Sequence, residues 1–277
     1  MTATPAPPTA ATAEAGTTGI RARPSSFVHD LTTIAGRALR AAPREPEAIV
    51  PALVIPLFFF VVNTGALQDV AEQGGVVSDF KAFQLPVAIL FAVTGVSRAP
   101  ALVTDIQNGY FDRLLLTPVR RLALLLGLMV ADFALVIALA VPVIVLGFLV
   151  GVSFATGLLG ILAFLVLAGC WGVAFNGFAY AIALKTGNPA AVNSSFILFF
   201  PFLFLTTSFL PQEALTGWLA TVADFNPVTY LLAGMRAIVM EGWGAEPIAQ
   251  AIAAILGVGA VSIVLSLLAL RGRTRRT

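Results

Sequence analysis

Charge is what this sequence has least of. Among 277 residues only 16 are Lys or Arg and 14 are Asp or Glu, 11% in all, where soluble domains carry about 25%. So few charges cannot cover a water-facing surface. The one cysteine, Cys170, excludes an intramolecular disulfide and a thiolate metal cluster. The one histidine, His29, excludes a histidine-pair metal site. What is abundant is apolar: 58% of residues are hydrophobic, and mean hydropathy is +0.95. The main solvent of this chain is therefore lipid. With a net charge of +2, the pI near 9.0 says little about nucleic acid. The positions of the basic residues matter more than their sum.

Residues 1–26 are Ala, Thr and Pro without an apolar run and read as a disordered tail. The first long apolar stretch begins near Ile49, too far from Met1 for a signal peptide. Residues 27–46 read as an interfacial amphipathic helix. Phe27, Leu31, Ile34, Ala35 and Ala38 share one face, Arg37, Arg40 and Arg44 form a cationic one, and Pro43 and Pro46 end it. Six apolar segments follow, near 49–67, 82–103, 122–149, 157–184, 190–210 and 248–270. Each has about 19 residues or more, enough to cross a hydrocarbon core of about 30 Å. They are continuously apolar rather than alternating, which excludes the strands of a membrane barrel. The expected fold is an all-α integral membrane protein with six transmembrane helices over 47–270. No internal repeat is evident.

Six spans put both termini on one side. With that side cytoplasmic, fourteen of the sixteen basic residues lie inside, and Lys81 and Arg236 alone lie outside. The short tail 271–277 contributes Arg271, Arg273, Arg275 and Arg276. The outer loop 68–81 is acidic, and the next, 150–156, is minimal. The third, 211–247, is long, apolar and aromatic, which predicts short interfacial or re-entrant helices capping the outer mouth. Trp218 and Tyr230 would anchor this cap, and Asn226 and Pro227 would set its turn.

The cytoplasmic stretch 104–121 combines helix-forming DRLLL, a breaker at Pro118 and charges at Asp105, Asp112, Arg113, Arg120 and Arg121. A short helix here would lie across the inner ends of two spans, with Leu114, Leu115 and Leu116 facing a partner's groove. Within the spans, Asp132 is the costly residue, since a mid-bilayer Asp costs about 3 kcal/mol on insertion scales. It should bond another helix, take up a proton or line a path. Asn176, Asn193, Ser194 and Ser195 are candidates for the same work or for helix–helix hydrogen bonds. Gly169, Cys170, Gly172 and Gly177 are small residues that let helices approach.

DIQNGYFDRLLLTPVRR over 105–121 resembles the cytoplasmic signature of ABC-2-type transporter permeases, especially the daunorubicin-resistance, drug-efflux branch. Asn188-Pro189, Pro201, Pro211 and NPVTY over 226–230 before Arg236 match that branch independently. The resemblance implies an exporter permease in a bacterial plasma membrane, moving a hydrophobic or amphiphilic compound. It implies an interfacial helix, a coupling helix and outer helices. It also implies a dimer of two permease copies, expected to be a homodimer, with two copies of a separate ATPase that bind ATP and Mg. The coupling role passes to Asp105, Gly109, Asp112, Arg113, Leu114, Thr117 and Pro118. No phosphate-binding G-x-x-x-x-G-K-[ST] loop occurs, and Lys185-Thr186 lacks the glycines. The chain is thus expected to be no enzyme by itself and to hold no cofactor or metal.

Three other readings compete. A permease for lipid-linked polysaccharide would look similar. An integral membrane enzyme would need clustered carboxylates or a His/Glu pair, and here the carboxylates are scattered. A secondary transporter would carry more charge inside its spans. Co-purification of an ATP-binding subunit separates the permease readings from the last two.

Overall fold

The computed structural model describes residues 26–94, 96–116 and 120–273, apart from the side chains of Asp112, Leu115, Arg121 and Leu198. Nearly all of the tail expected over 1–26, and the end of 271–277, lie outside the described residues. Among those described, the chain is helical without strands.

Ser26 caps α1, Phe27–Ala41, accepting from the amide of His29 at 3.2 Å. Ile34, Ala35 and Ala38 are buried, and they pack on α6, Arg121–Leu149. Gly127 permits this contact, because a Cβ there would stand 2.9 Å from the Ile34 side chain. The apolar face of α1 thus meets protein, where an interfacial helix was expected to meet lipid. A 3-10 turn at Ala42–Arg44 follows, and Pro46, preset for a first helical turn, opens α2, Pro46–Gln73.

The second expected span, 82–103, is two helices. α3, Phe80–Thr94, is apolar apart from Lys81, Gln84 and Thr94 and buried on nearly every side, at the centre of the main core. The chain then leaves helical geometry and resumes in α4, Ala99–Gln107. Pro100 sits in the first turn of α4, where its missing N–H costs nothing. α5, Tyr110–Leu115, follows after Gly109, whose φ of +68° makes the turn.

The third, fourth and sixth expected spans are α6, α7 (Gly157–Thr186) and α12 (Ala245–Arg273). α7 and α12 pack along their length. Ser262 Oγ donates to the Ala174 carbonyl at 2.5 Å, and Ser266 Oγ to that of Gly177 at 2.5 Å. A Cβ at Gly177 would collide with Ser262, and one at Gly172 would stand 2.7 Å from Val136.

The fifth segment departs most from the expectation. It is α8, Pro189–Ser195, then a 3-10 turn, then α9, Phe199–Phe204. Among the described residues, five helical stretches are long and apolar enough to cross a membrane, Phe80–Gln107 counting as one across its break, and Pro189–Phe204 is a shorter, broken piece. Beyond it, α10 spans Gly217–Phe225 and α11 spans Pro227–Arg236. Exposed Val54, Phe58, Val61, Leu162, Leu256 and Val264 leave flanks suited to lipid.

Candidate functional site

The α4–α5 unit is fastened to several elements. Asp105 on α4 accepts from Arg37 on α1 at 2.5 Å, and the Arg37 guanidinium lies 4.6 Å from the Tyr110 ring centre. Partial desolvation works against the Arg37 charge, but the hydrogen bond and charge of Asp105, with Tyr110, outweigh it and raise its pKa. Gln107 donates to the Gly187 carbonyl at 3.0 Å, beyond the end of α7. Phe111, 1% exposed, is sunk among Ile106, Leu184, Val192 and Leu270. The opposite side is open, since Arg113 is exposed and Leu116 is 89% exposed. The expected row of three docking leucines is therefore split. Leu114 packs against the chain's own core, Leu116 faces outward, and the Leu115 side chain is not described. Thr117 and Pro118 lie outside the described residues, as does the Asp112 side chain.

Asp132 explains the break in the second span. Its carboxylate accepts from the Arg98 amide at 2.7 Å, Ser97 Oγ at 3.1 Å, Asn176 Nδ2 at 3.0 Å and Tyr180 Oη at 2.9 Å. Asn176 Nδ2 also donates to the Val96 carbonyl at 2.9 Å. Irregular backbone at membrane depth is tolerable only where protein satisfies it, and α6 and α7 supply that satisfaction here. Asp132, Asn176 and Tyr180 are fully buried. The Arg98 side chain leaves this node and forms a two-pronged ion pair with Glu45 at 2.8 Å on both prongs. The break in span two is thus tied to the junction of α1 and α2.

The four residues expected along a path do not come together. Asp132 and Asn176 are enclosed in the node, whereas Asn193 and Ser194 are exposed on α8. Asn193 faces a cleft of about 560 Å³, shared with Glu45, Glu47, Phe91, Phe196 and Phe200.

At the other end, Asn226 does more than turn the chain. Its Oδ1 caps α11 through the Val228 amide at 3.0 Å, and its Nδ2 donates to the Phe202 and Leu205 carbonyls at 2.5 and 2.8 Å. Asn188 caps α8 by the same device, so each Asn-Pro pair is an N-cap followed by a proline preset for the first turn. Tyr230 Oη donates to the Asp224 carbonyl at 2.6 Å, and it is Trp218, 70% exposed, that points away from the fold.

Arg236, read from sequence as an outer charge and as the Arg that follows NPVTY, is 7% exposed. It donates to the Phe83 carbonyl, Thr207 Oγ1 and the Thr207 carbonyl at 3.1, 3.0 and 2.7 Å. Its guanidinium lies 3.4 Å from the Phe83 ring centre. No carboxylate pairs with it among the described residues. An Arg directly after an apolar run such as PVTYLLAGM was the available signal.

Long apolar helices, a broken central span stitched by polar side chains and a half-open helical unit at the basic end define a multi-pass membrane protein. The profile of the ABC-2 type transporter family matches residues 29–240, and the chain belongs to that family. It is 29% identical to the daunorubicin resistance ABC transporter permease protein DrrB1 of Streptomyces coeruleorubidus, over 72% of this chain and 71% of that protein. It is 24% identical to the probable doxorubicin resistance ABC transporter permease protein DrrC of Mycobacterium tuberculosis, over 78% of this chain and 79% of that one. Both names are those of permeases, the membrane subunits of transporters whose ATPase is a separate subunit.

Proposed function

We propose that this chain is the membrane subunit of an ATP-driven exporter that moves an apolar or amphiphilic compound, drug-like or lipid-like, out across a bacterial plasma membrane. The names of its relatives support the drug-like reading. A homodimer of this chain pairs with two copies of a separate ATPase, which holds the ATP and Mg ion. Both termini, α1 and α4–α5 face the cytoplasm, and α10 and α11 face out. The observation that carries the reading is the α4–α5 unit, fastened on one side to α1 and open on the other through Arg113 and Leu116. A body so held passes a push on its open face to α1 and to the break in span two.

The test is ATP-dependent accumulation of an anthracycline in inverted vesicles that contain this chain and its ATPase. Accumulation with ATP and none with a non-hydrolysable analogue is expected. Accumulation without any ATPase would overturn the reading. Orientation is tested by cysteines at Leu116 and Thr216 on a Cys170→Ser background. In intact cells an impermeant reagent should block Thr216→Cys alone, and labelling of Leu116→Cys would reverse the topology.

A further inference from the structure

Two cavities on the flank of the bundle adjoin one another. The first, about 620 Å³, lies between α7, α12 and the broken α8–α9 segment, with Trp171, Phe175, Phe199 and Val261 in its wall. The second, about 830 Å³, shares Ala181, Ile182 and Leu265 with it and ends at Lys185, Thr186 and Arg273. Together they form one groove, carbon-lined at one end and cationic at the other. No acidic side chain lines either part among the described residues.

We propose that this groove binds an anionic phospholipid of the inner leaflet, acyl chain against the aromatic wall and phosphate between Lys185 and Arg273. The inference rests on the orientation proposed above. Dimensions support it. Trp171 to Ile182 spans about 16 Å of helix, close to the hydrocarbon depth of one leaflet, about 15 Å. Lys185 and Arg273 therefore stand at headgroup level. Both are at helix C-termini, where cations are favoured. That accounts for their sign but not for an open cavity between them. Lys185 and Arg273 both stand in the wall of this cavity, and basic pockets between helices on the cytoplasmic side take phosphate headgroups.

The occupant would touch the coupling region. The Arg273 guanidinium lies 6.0 Å from the ring centre of Phe111 on α5, and Gly187, two residues past Lys185, accepts from Gln107. A lipid drawing on Arg273 therefore acts on the seat of Phe111, which gives the exporter a dependence on anionic lipid.

The test uses the purified full chain in detergent, with lipid retention read by native mass spectrometry. The probes are dioleoyl phosphatidylglycerol, dioleoyl phosphatidylcholine and inorganic phosphate. The wild type should retain phosphatidylglycerol about tenfold better than phosphatidylcholine, and inorganic phosphate should not displace it. Lys185→Gln with Arg273→Gln should abolish that preference, and Lys185→Arg should keep it. Gly257→Leu fills the apolar part, where a Cβ meets nothing within 4 Å, and should reduce retention of both lipids. Equal retention of the two lipids by the wild type, unchanged retention in Gly257→Leu, or displacement by phosphate alone would each overturn the proposal. Because the readout is binding without ATPase or transport, failure here leaves the exporter reading standing.

Discussion

At the basic end, elements are joined by long charged side chains that keep one foot in water. The side chains of Arg37 and Asp105 are 46% and 25% exposed, and those of Arg98 and Glu45 are 7% and 37% exposed. At the outer end the joints are short and neutral. Asn226, Thr206 and Thr229 are buried and hydrogen-bonded. Of the two cations there, Lys81 donates to the Val150 carbonyl at 3.2 Å, and Arg236 is enclosed among carbonyl and hydroxyl oxygens. Exposed ion pairs contribute about 0–1 kcal/mol and exchange readily with water. A buried donor or acceptor left unmade costs about 1–3 kcal/mol. Rearrangement at the basic end therefore costs less than rearrangement at the end that carries α10 and α11. That is the division an exporter needs if its drive arrives at one face. Asp132 stands between the two, holding the break between α3 and α4.

Four substitutions probe this contrast. Asp132→Ala strands four donors and should cost the most, about 4 kcal/mol, read as a lower unfolding midpoint of the purified protein. Arg236→Ala abandons two carbonyls and a hydroxyl and should cost about 3 kcal/mol, again in thermal unfolding. Asn226→Ala loses an N-cap and two donated bonds and should cost about 2 kcal/mol. Asp105→Asn, whose pair with Arg37 has side chains 25% and 46% exposed, should lower stability by about 1 kcal/mol or less, yet separate ATP hydrolysis from transport when both are measured in the assembled complex. If Asp105→Asn destabilised the fold as much as Arg236→Ala does, the contrast between the ends would collapse.

Much of this organisation is legible in the residues. Unbroken apolar runs give α2, α6, α7 and α12 nearly at their bounds, because length and composition alone decide whether a helix can cross a bilayer. Pro43 and Pro46 mark the end of α1, and Asn226-Pro227 marks the start of α11, because both act locally. What could not be read depends on partners distant in sequence. The stretch 82–103 is apolar throughout, and only the carboxylate of Asp132 and the amide of Asn176, brought in on other helices, make a break there affordable. Pro100 was the local hint. The same holds for Arg236, whose burial depends on carbonyls at Phe83 and Thr207. Of the path candidates, Asp132 and Asn176 share a node with Ser97 and Tyr180, two residues that carry no sequence signal of their own.

Movement of the basic end against a fixed α10–α11 end is tested by spin-label distances within one permease copy, on the Cys170→Ser background and diluted with unlabelled chains, in complex with the ATPase. One pair joins Leu116, which caps the end of α5, to Leu149 at the far end of α6. The other joins Thr221 on α10 to Gln73 at the end of α2. On adding ATP, the account predicts a change of more than about 2 Å in the first distance and none in the second. A first distance that stays fixed while the second changes would contradict it.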